Sequence, residues 1–104
     1  MTTLMEFSLI PLDKGDSYST YVAETLRLVD ASGLDYVLTP MGTVVEGEWD
    51  DLQALLTRCF RALEVQAGRI SLSVKIDHRA GKSGRLRGKV RSVAAKAGAP
   101  LKTI

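Results

Sequence analysis

The order in which two periodicities alternate along the chain is the feature that most constrains its fold. Short segments with the two-residue alternation of strands are separated by longer segments with helical spacing. Four segments have the strand pattern: Thr3–Leu12, Tyr36–Leu38, Thr43–Glu46 and Arg69–Asp77. The turn Pro40-Met41-Gly42 joins the second to the third, so these two form a hairpin in which Gly42 is expected to adopt a positive φ.

Three segments have helical spacing. The first follows a serine cap, Ser17 or Ser19, and stops at Gly33. The second has the clearest apolar stripe: Leu52, Leu55, Leu56, Cys59, Phe60 and Leu63. The third is weaker and comes after the last strand, with Leu86, Val90, Val93, Ala94 and Ala97. We expect this last helix to pack on the body.

This order predicts an α+β fold of the ferredoxin-like βαββαβ type with an additional C-terminal helix. The 104 residues are short enough to form a single domain, residues 1–104. We expect one antiparallel sheet in which the first, third and fourth strands are contiguous. Two helices cover one of its faces, on which these side chains point inward: Met5, Phe7, Leu9, Ile70, Leu72, Val74 and Ile76.

The other face of the sheet is left open by these two helices. If Thr39 lies opposite Thr43, Val37 and Val45 point to the core, and the open face carries Glu6, Ser8, Ile10, Tyr36, Leu38, Val44, Glu46, Ser71, Ser73 and Lys75. The apolar members of this set predict burial against a second copy, in a homodimer or homotetramer. A solvated sheet face is the alternative.

The charges are distributed unevenly. Residues 1–78 hold all 12 acidic residues and six basic ones, whereas residues 79–104 hold eight basic residues and no acidic one. This split is typical either of a basic segment that binds nucleic acid or of two surfaces that meet in an oligomer. Nucleic-acid recognition is the less favoured function, because Tyr36 is the single aromatic residue predicted on the open face, and RNA-binding sheets stack bases on two or three rings.

No constellation of residues indicates an enzyme, and no catalytic residue is predicted. Cys59 lies in an apolar stripe and is expected in the core. His78 is expected in an exposed loop, and one Cys and one His are too few for a zinc site. No apolar run approaches the ~20 residues of a membrane span, and the first residues lack the pattern of a signal peptide. We therefore expect a cytoplasmic protein without a metal or cofactor.

Two charged positions leave alternatives open. Lys75 and the run Asp77-His78-Arg79 indicate either an anion clamp or an ion-pair cluster that ties the fourth strand to the last helix. Glu46 needs a partner if it is buried, either Lys75 or a cationic or amino-bearing ligand. Trp49 follows closely and is either a hydrophobic staple or a stacking wall for a ligand.

Several of these segments together resemble the small thiamine-binding protein family, which is related to the YkoF-like proteins. The resemblance spans residues 3–93 and rests on Tyr36, Thr39-Pro40-Met41-Gly42-Thr43, Glu46-Gly47-Glu48, Lys75-Ile76-Asp77-His78-Arg79 and Lys89-Val90-Arg91-Ser92-Val93. It implies a ferredoxin-like homo-oligomer that binds thiamine or its hydroxymethylpyrimidine part without catalysis. An acidic residue common in the family before Lys89-Val90 is missing here.

The chemistry of thiamine suggests which residues would bind it. Its thiazolium cation and aminopyrimidine match a carboxylate, aromatic rings and hydroxyl groups. The predicted ligand-binding residues are Ser8, Tyr36, Leu38, Thr43, Glu46 and Trp49.

Overall fold

The computed structural model describes residues 3–103. Its elements are β1 Thr3–Pro11, α1 Ser19–Ala31, β2 Asp35–Thr39, β3 Gly42–Gly47, α2 Trp49–Glu64, β4 Ile70–His78 and α3 Arg85–Ala97. The four strands form one antiparallel sheet in the order β2-β3-β1-β4. The predicted ferredoxin-like βαββαβ arrangement with an added C-terminal helix is therefore confirmed. Within the described residues, no helix is long and apolar enough to cross a membrane.

Helices α1 and α2 cover one face of the sheet and bury the core. Met5, Phe7 and Leu9 of β1 all point to this face and are at most 4% exposed. The apolar stripe of α2 lies against them, with Leu52, Leu55, Cys59 and Leu63 buried. Asp50 and Asp51 occupy the first turn of α2, where carboxylates favour the positive end of the helix dipole.

The edge strand β4 is less well covered than the alternation of its side chains predicts. Leu72 and Val74 are paired with Leu9 and Phe7 and therefore share the helix-covered face, as expected. They are nevertheless 38% and 41% exposed, because α2 packs on β1 and β3 instead. The prediction of their direction is confirmed, whereas the prediction of their burial is wrong.

Two details of local backbone structure differ from expectation. Neither Ser17 nor Ser19 caps α1: the residue before the helix is Tyr18, and no side chain caps it. Gly42 does not have the positive φ expected of it. A glycine is needed there for another reason, since a Cβ at this position would lie 2.9 Å from the carbonyl oxygen of Phe7.

The register of the hairpin also differs from the predicted one, by a single residue. Thr39 lies opposite Gly42, and Leu38 lies opposite Thr43. Because successive side chains point to opposite faces, this shift places Tyr36 and Leu38 on the helix-covered face and Val37 on the open face. The predicted positions of these three side chains are wrong, while those of Val44, Val45 and Glu46 are right.

Helix α3 packs on the open face, over β3 and β2. The first turn makes the contact: Leu86 is 9% exposed, whereas Val90 and Val93 are 45% and 61% exposed. The prediction that this helix packs on the rest of the domain is therefore confirmed for its first turn, whereas Val90 and Val93 in the later turns are exposed. Helix α3 covers the half of the open face formed by β2 and β3, and it leaves uncovered the half formed by β4 and the end of β1.

Candidate functional site

A cleft of about 380 Å³ lies between the end of β1, the beginning of α1 and the turn of the β2–β3 hairpin. We call it the hairpin cleft. Its lining is mainly apolar and, among the described residues, includes no carboxylate and no Lys or Arg side chain. The lining residues that carry a hydroxyl are Ser8, Tyr18, Thr25, Thr39 and Thr43, and the Thr25 hydroxyl already donates to the Tyr21 carbonyl oxygen. A largely apolar cleft with a few polar groups is the usual form of a small-molecule site.

The cleft exists because β1 extends further than β3. Pairing of β1 with β3 ends at Phe7 and Thr43, whereas pairing with β4 continues to Pro11 and Ile70. Within residues 3–103, the end of β1 therefore has a strand partner on one side only. Leu12 donates its N–H toward β4, and because alternate residues face opposite sides of a strand, the N–H and C=O of Leu9 face the side of residues 8–10 that β3 leaves open. Unpaired backbone groups are strong hydrogen-bonding groups for a ligand.

The hydroxyl groups of the cleft are not equivalent. The Thr39 hydroxyl donates to the carbonyl oxygen of Gly42 at 2.9 Å and accepts from the backbone N–H of Met41 at 3.3 Å, so it holds the turn in shape. The Thr43 side chain is buried, at 3% exposure. Among the described residues, neither the Thr43 nor the Ser8 hydroxyl has a hydrogen-bond partner. These two hydroxyls are available to a bound molecule.

A carboxylate lies next to the hairpin cleft on the uncovered half of the open face. A smaller cavity of about 150 Å³ is lined by Glu6 and Lys75 and shares Phe7, Ser8 and Met41 with the cleft. The Glu6 side chain is exposed, and its Cγ lies 3.7 Å from the position that a Cβ on Gly42 would occupy. Sequence reasoning placed Glu6 on the open face but left it out of the predicted site. Its cross-strand position beside Val44 was the signal that could have included it.

Of the six predicted ligand-binding residues, Ser8, Leu38 and Thr43 line the hairpin cleft. Tyr36 packs against the core, and its hydroxyl donates to Asp30 Oδ1 at 2.8 Å. That hydrogen bond, together with burial, raises the pKa of the Tyr36 phenol. Trp49 is the first residue of α2 and is 51% exposed. Tyr36, Glu46 and Trp49 are therefore not part of the cleft, and their role toward a ligand stays a prediction.

Glu46 has partners that sequence reasoning did not consider. It is 1% exposed, and its carboxylate lies at the beginning of α3. Oε2 accepts from the backbone N–H of Arg85 at 3.0 Å, and Oε1 accepts from the N–H of Leu86 at 3.3 Å. These donors have no partner within the helix, so the carboxylate satisfies them and complements the helix dipole. Lys75 was the cationic partner considered for Glu46. It lies directly opposite Glu6 on the neighbouring strand instead.

Asp77 ties β4 to α3. Its carboxylate accepts from the Arg85 guanidinium and, at 2.8 Å, from Lys89 Nζ. The hydrogen bond from Lys89, supported by the charges of Arg85 and Lys89, holds the pKa of the Asp77 carboxyl below its usual value. A further ion pair joins Arg87 to both oxygens of Asp35, at 2.7 and 2.8 Å. Of the two alternatives left open for the charged strand end, the structure supports an ion-pair cluster at Asp77, to which Lys75, His78 and Arg79 do not belong.

The single cysteine and histidine have structural surroundings. Cys59 is 1% exposed, and burial raises the pKa of its thiol, which keeps the thiol protonated and unreactive. His78 is exposed at the end of β4, and its Nδ1 lies 2.8 Å from the Thr3 hydroxyl. Within residues 3–103, no three His, Cys, Asp or Glu side chains come close enough to hold a metal ion.

Comparison with known proteins places the chain in a family. The model of the family described as thiamine-binding protein matches residues 5–94. The chain belongs to this family. Similar proteins include a UPF0045 protein of Mycobacterium bovis, 35% identical over 94 residues that cover 89% of this chain and 92% of the relative. A Bacillus subtilis protein, YqgV, is 34% identical over 97 residues, or 86% and 92% of the two chains.

Solved structures agree with the fold. The MJ1052 protein of Methanocaldococcus jannaschii superposes with a TM-score of 0.82 at 29% identity, over 90% of this chain and 98% of that one. A Thermotoga maritima protein, whose name proposes a role in thiamine biosynthesis or salvage, superposes with a TM-score of 0.79. It is 22% identical and is matched over 89% of this chain and 99% of that one, which supports the shared fold.

Proposed function

We propose that this family member binds thiamine or its hydroxymethylpyrimidine part in the hairpin cleft, as a non-enzymatic, cytoplasmic homo-oligomer. The observation that carries the proposal is the unpaired backbone edge of β1 beside that cleft. An aminopyrimidine presents a donor amino group next to an acceptor ring nitrogen, the same pair of groups that a neighbouring strand offers. It can therefore hydrogen-bond to the edge of residues 8–10 where β3 does not.

Different side chains around this edge suit the pyrimidine and the thiazolium rings of thiamine. The unpartnered hydroxyls of Ser8 and Thr43 suit the polar rim of the pyrimidine, and Tyr18 offers an aromatic surface. The thiazolium cation would extend past Met41 toward Glu6, whose carboxylate opposes its charge. Free hydroxymethylpyrimidine has no such cation. Glu6 is thus proposed to favour thiamine over the free pyrimidine.

Calorimetric titration with thiamine and with hydroxymethylpyrimidine tests this proposal. We expect micromolar binding of thiamine, which corresponds to about −8 kcal/mol. Thr43→Val keeps the shape of the side chain and removes its hydroxyl, so it should weaken both ligands by about tenfold. Thr57→Val, on the exposed side of α2, is the matched control and should change neither. Equal affinity in the Thr43→Val and Thr57→Val variants would contradict the site.

The Glu6→Gln variant separates the two ligands. It should weaken thiamine by about tenfold, since a charge-assisted contact is lost, and should leave hydroxymethylpyrimidine nearly unchanged. Asp16→Asn removes a charge from an exposed loop outside the cleft and is the control. If Glu6→Gln changes both ligands equally or neither, Glu6 does not contact the thiazolium ring.

Homo-oligomer formation is supported by apolar surface that α1, α2 and α3 leave open. Leu72 and Val74 are exposed on the edge strand β4, and Ile10 lies on the uncovered half of the open face. Leu72 and Val74 lie on the helix-covered face and Ile10 lies on the opposite one, so a second copy that packs along the β4 edge would bury Leu72 and Val74, and one that packs on the open face would bury Ile10. Light scattering at micromolar concentration should give a multiple of the 11.3 kDa chain mass. A stable particle of the mass of one chain would contradict this part of the proposal.

Nucleic-acid binding, the alternative function, finds less support. Three cations of the basic segment, Arg85, Arg87 and Lys89, are paired with carboxylates of the body. Their charges are largely offset, which reduces the attraction for phosphate groups of a nucleic-acid backbone.

A further inference from the structure

A second cleft, of about 640 Å³, lies between α3 and the open face of the sheet. We call it the α3 cleft. Its floor is apolar and is formed by Leu4, Val37 and Val44 of the sheet with Leu86 and Val90 of α3. It lies on the face of the sheet opposite α1. Among residues 3–103, Thr39 is the one lining residue that the two clefts share.

The rim of the α3 cleft is strongly basic. Among the described residues, no carboxylate lines this cleft, whereas several cations do. Arg87 and Lys89 are paired with Asp35 and Asp77, which lie outside its lining. Arg91 and Lys102 are exposed, and within residues 3–103 neither forms an ion pair. They contribute two uncompensated positive charges beside an apolar floor.

An occupant of this cleft must satisfy both properties. An inorganic anion would pair with Arg91 and Lys102 but would leave Val44 and Val90 in contact with water. An uncharged apolar molecule would cover the floor and leave the cations without a partner. We propose that the α3 cleft binds a small organic anion, an aromatic or similarly apolar body that carries a phosphate group. The phosphate lies between Arg91 and Lys102, and the apolar body lies on the floor between α3 and the sheet.

This second site is independent of the proposed thiamine site. Arg91 and Lys102 do not line the hairpin cleft, and Ser8 and Thr43 do not line the α3 cleft. A substitution that weakens binding in one cleft should therefore leave binding in the other cleft unchanged.

Calorimetric titrations of the full chain with three probes separate the contribution of the phosphate charge from that of the apolar body. The probes are 1-naphthyl phosphate, inorganic phosphate for the charge alone and 1-naphthol for the apolar body alone. We expect 1-naphthyl phosphate to saturate the protein with an affinity about tenfold or more above that of either partial probe. If inorganic phosphate or 1-naphthol binds as tightly as 1-naphthyl phosphate, or if none of the three saturates, the proposal is wrong.

Substitutions locate the site. Arg91→Gln and Lys102→Gln should each weaken 1-naphthyl phosphate by about tenfold. Lys96→Gln removes the same charge from the last turn of α3, outside the cleft lining, and should have no effect. Far-UV circular dichroism shows whether each variant keeps its helices. Val44→Thr conserves shape on the cleft floor and should also weaken the probe, because it introduces a hydroxyl under the aromatic body.

Two outcomes would overturn the assignment. One is an unchanged affinity in both Arg91→Gln and Lys102→Gln, provided that both variants are folded. The other is a single-stranded oligonucleotide that binds through Arg91 and Lys102 more tightly than 1-naphthyl phosphate, which would identify the cleft as part of a nucleic-acid surface instead.

Discussion

The two faces of the sheet are closed by different forces. On one face, α1 and α2 bury apolar side chains such as Met5, Leu52 and Leu55, which have no exposed surface. On the other, α3 is attached by its first turn, through the carboxylates of Glu46 and Asp77 and the ion pair of Arg87. Apolar burial does not depend on protonation or on the screening of charges, whereas ion pairs depend on both. The position of α3, and with it the α3 cleft, should therefore be adjustable while the core is not.

The largest effect is expected from the apolar face. Leu55→Ala creates a cavity in the core and should lower the free energy of unfolding by about 2–5 kcal/mol. Val93→Ala on α3 is the matched control, and because Val93 is 61% exposed its effect should stay below about 0.5 kcal/mol. Urea denaturation measures both. Similar losses in the two variants would mean that α3 is packed as firmly as α2.

The next effect concerns the buried carboxylate under α3. Glu46→Gln keeps the shape of the side chain but removes the charge that the N–H groups of Arg85 and Leu86 face. Opening of the first turn of α3 should become easier by about 1–3 kcal/mol. Amide hydrogen exchange measures this directly, with Glu64→Gln, an exposed change on α2, as the control. Unchanged exchange at Arg85 and Leu86 would show that Glu46 does not hold the helix.

Acid pH should loosen α3 before it affects the core. The folded-state pKa of Asp77 is depressed, so its contribution is present above its unfolded pKa and is lost as pH falls through the folded one. From about pH 5 downward we expect the protection factors of the α3 amides to fall while those of the core amides stay high. In the Asp77→Asn variant, the amides of α3 should already be less protected at neutral pH, and the contribution of Asp77 to the pH dependence should be absent. Simultaneous loss of both regions would argue against separate attachment.

The smallest effect is expected from the exposed ion pair between Arg87 and Asp35. A double-mutant cycle with Arg87→Gln and Asp35→Asn should give a coupling free energy of about 0.2–1 kcal/mol. The coupling should fall further at high salt, because both partners are exposed to solvent. A coupling that is large or unaffected by salt would mean that this pair is more protected than its exposure indicates.

The fold could be predicted from the sequence because each element has its own periodicity. The stripe of α2 and the alternation in β1 each required one arrangement of side chains, and both are confirmed. The hairpin was different, since its turn allowed two registers. Thr39 lies opposite Gly42 and not Thr43, and the Thr39 hydroxyl holds this shorter turn by its hydrogen bonds to the Gly42 carbonyl oxygen and the Met41 N–H. The alternation of side chains in two short strands does not distinguish the two registers.

The candidate site was harder to predict for the same reason. The observed hairpin register places Tyr36 and Leu38 on the helix-covered face. Glu46 is covered by the beginning of α3, 39 residues further along the chain. Ser8 and Thr43 were placed in the site because of their hydroxyls, and both do line the hairpin cleft. The cleft itself depends on where pairing between β1 and β3 stops, a property of two strands together that the pattern of one strand does not contain.

Assignment of a ligand to the edge of β1 is the central claim, and backbone amide NMR tests it most directly. In a titration of the ¹⁵N-labelled chain with hydroxymethylpyrimidine, the largest shift changes should occur at residues 8–10 and 39–43, and the amides of α3 should not move. Changes confined to α3, or no changes at saturating ligand, would contradict the account.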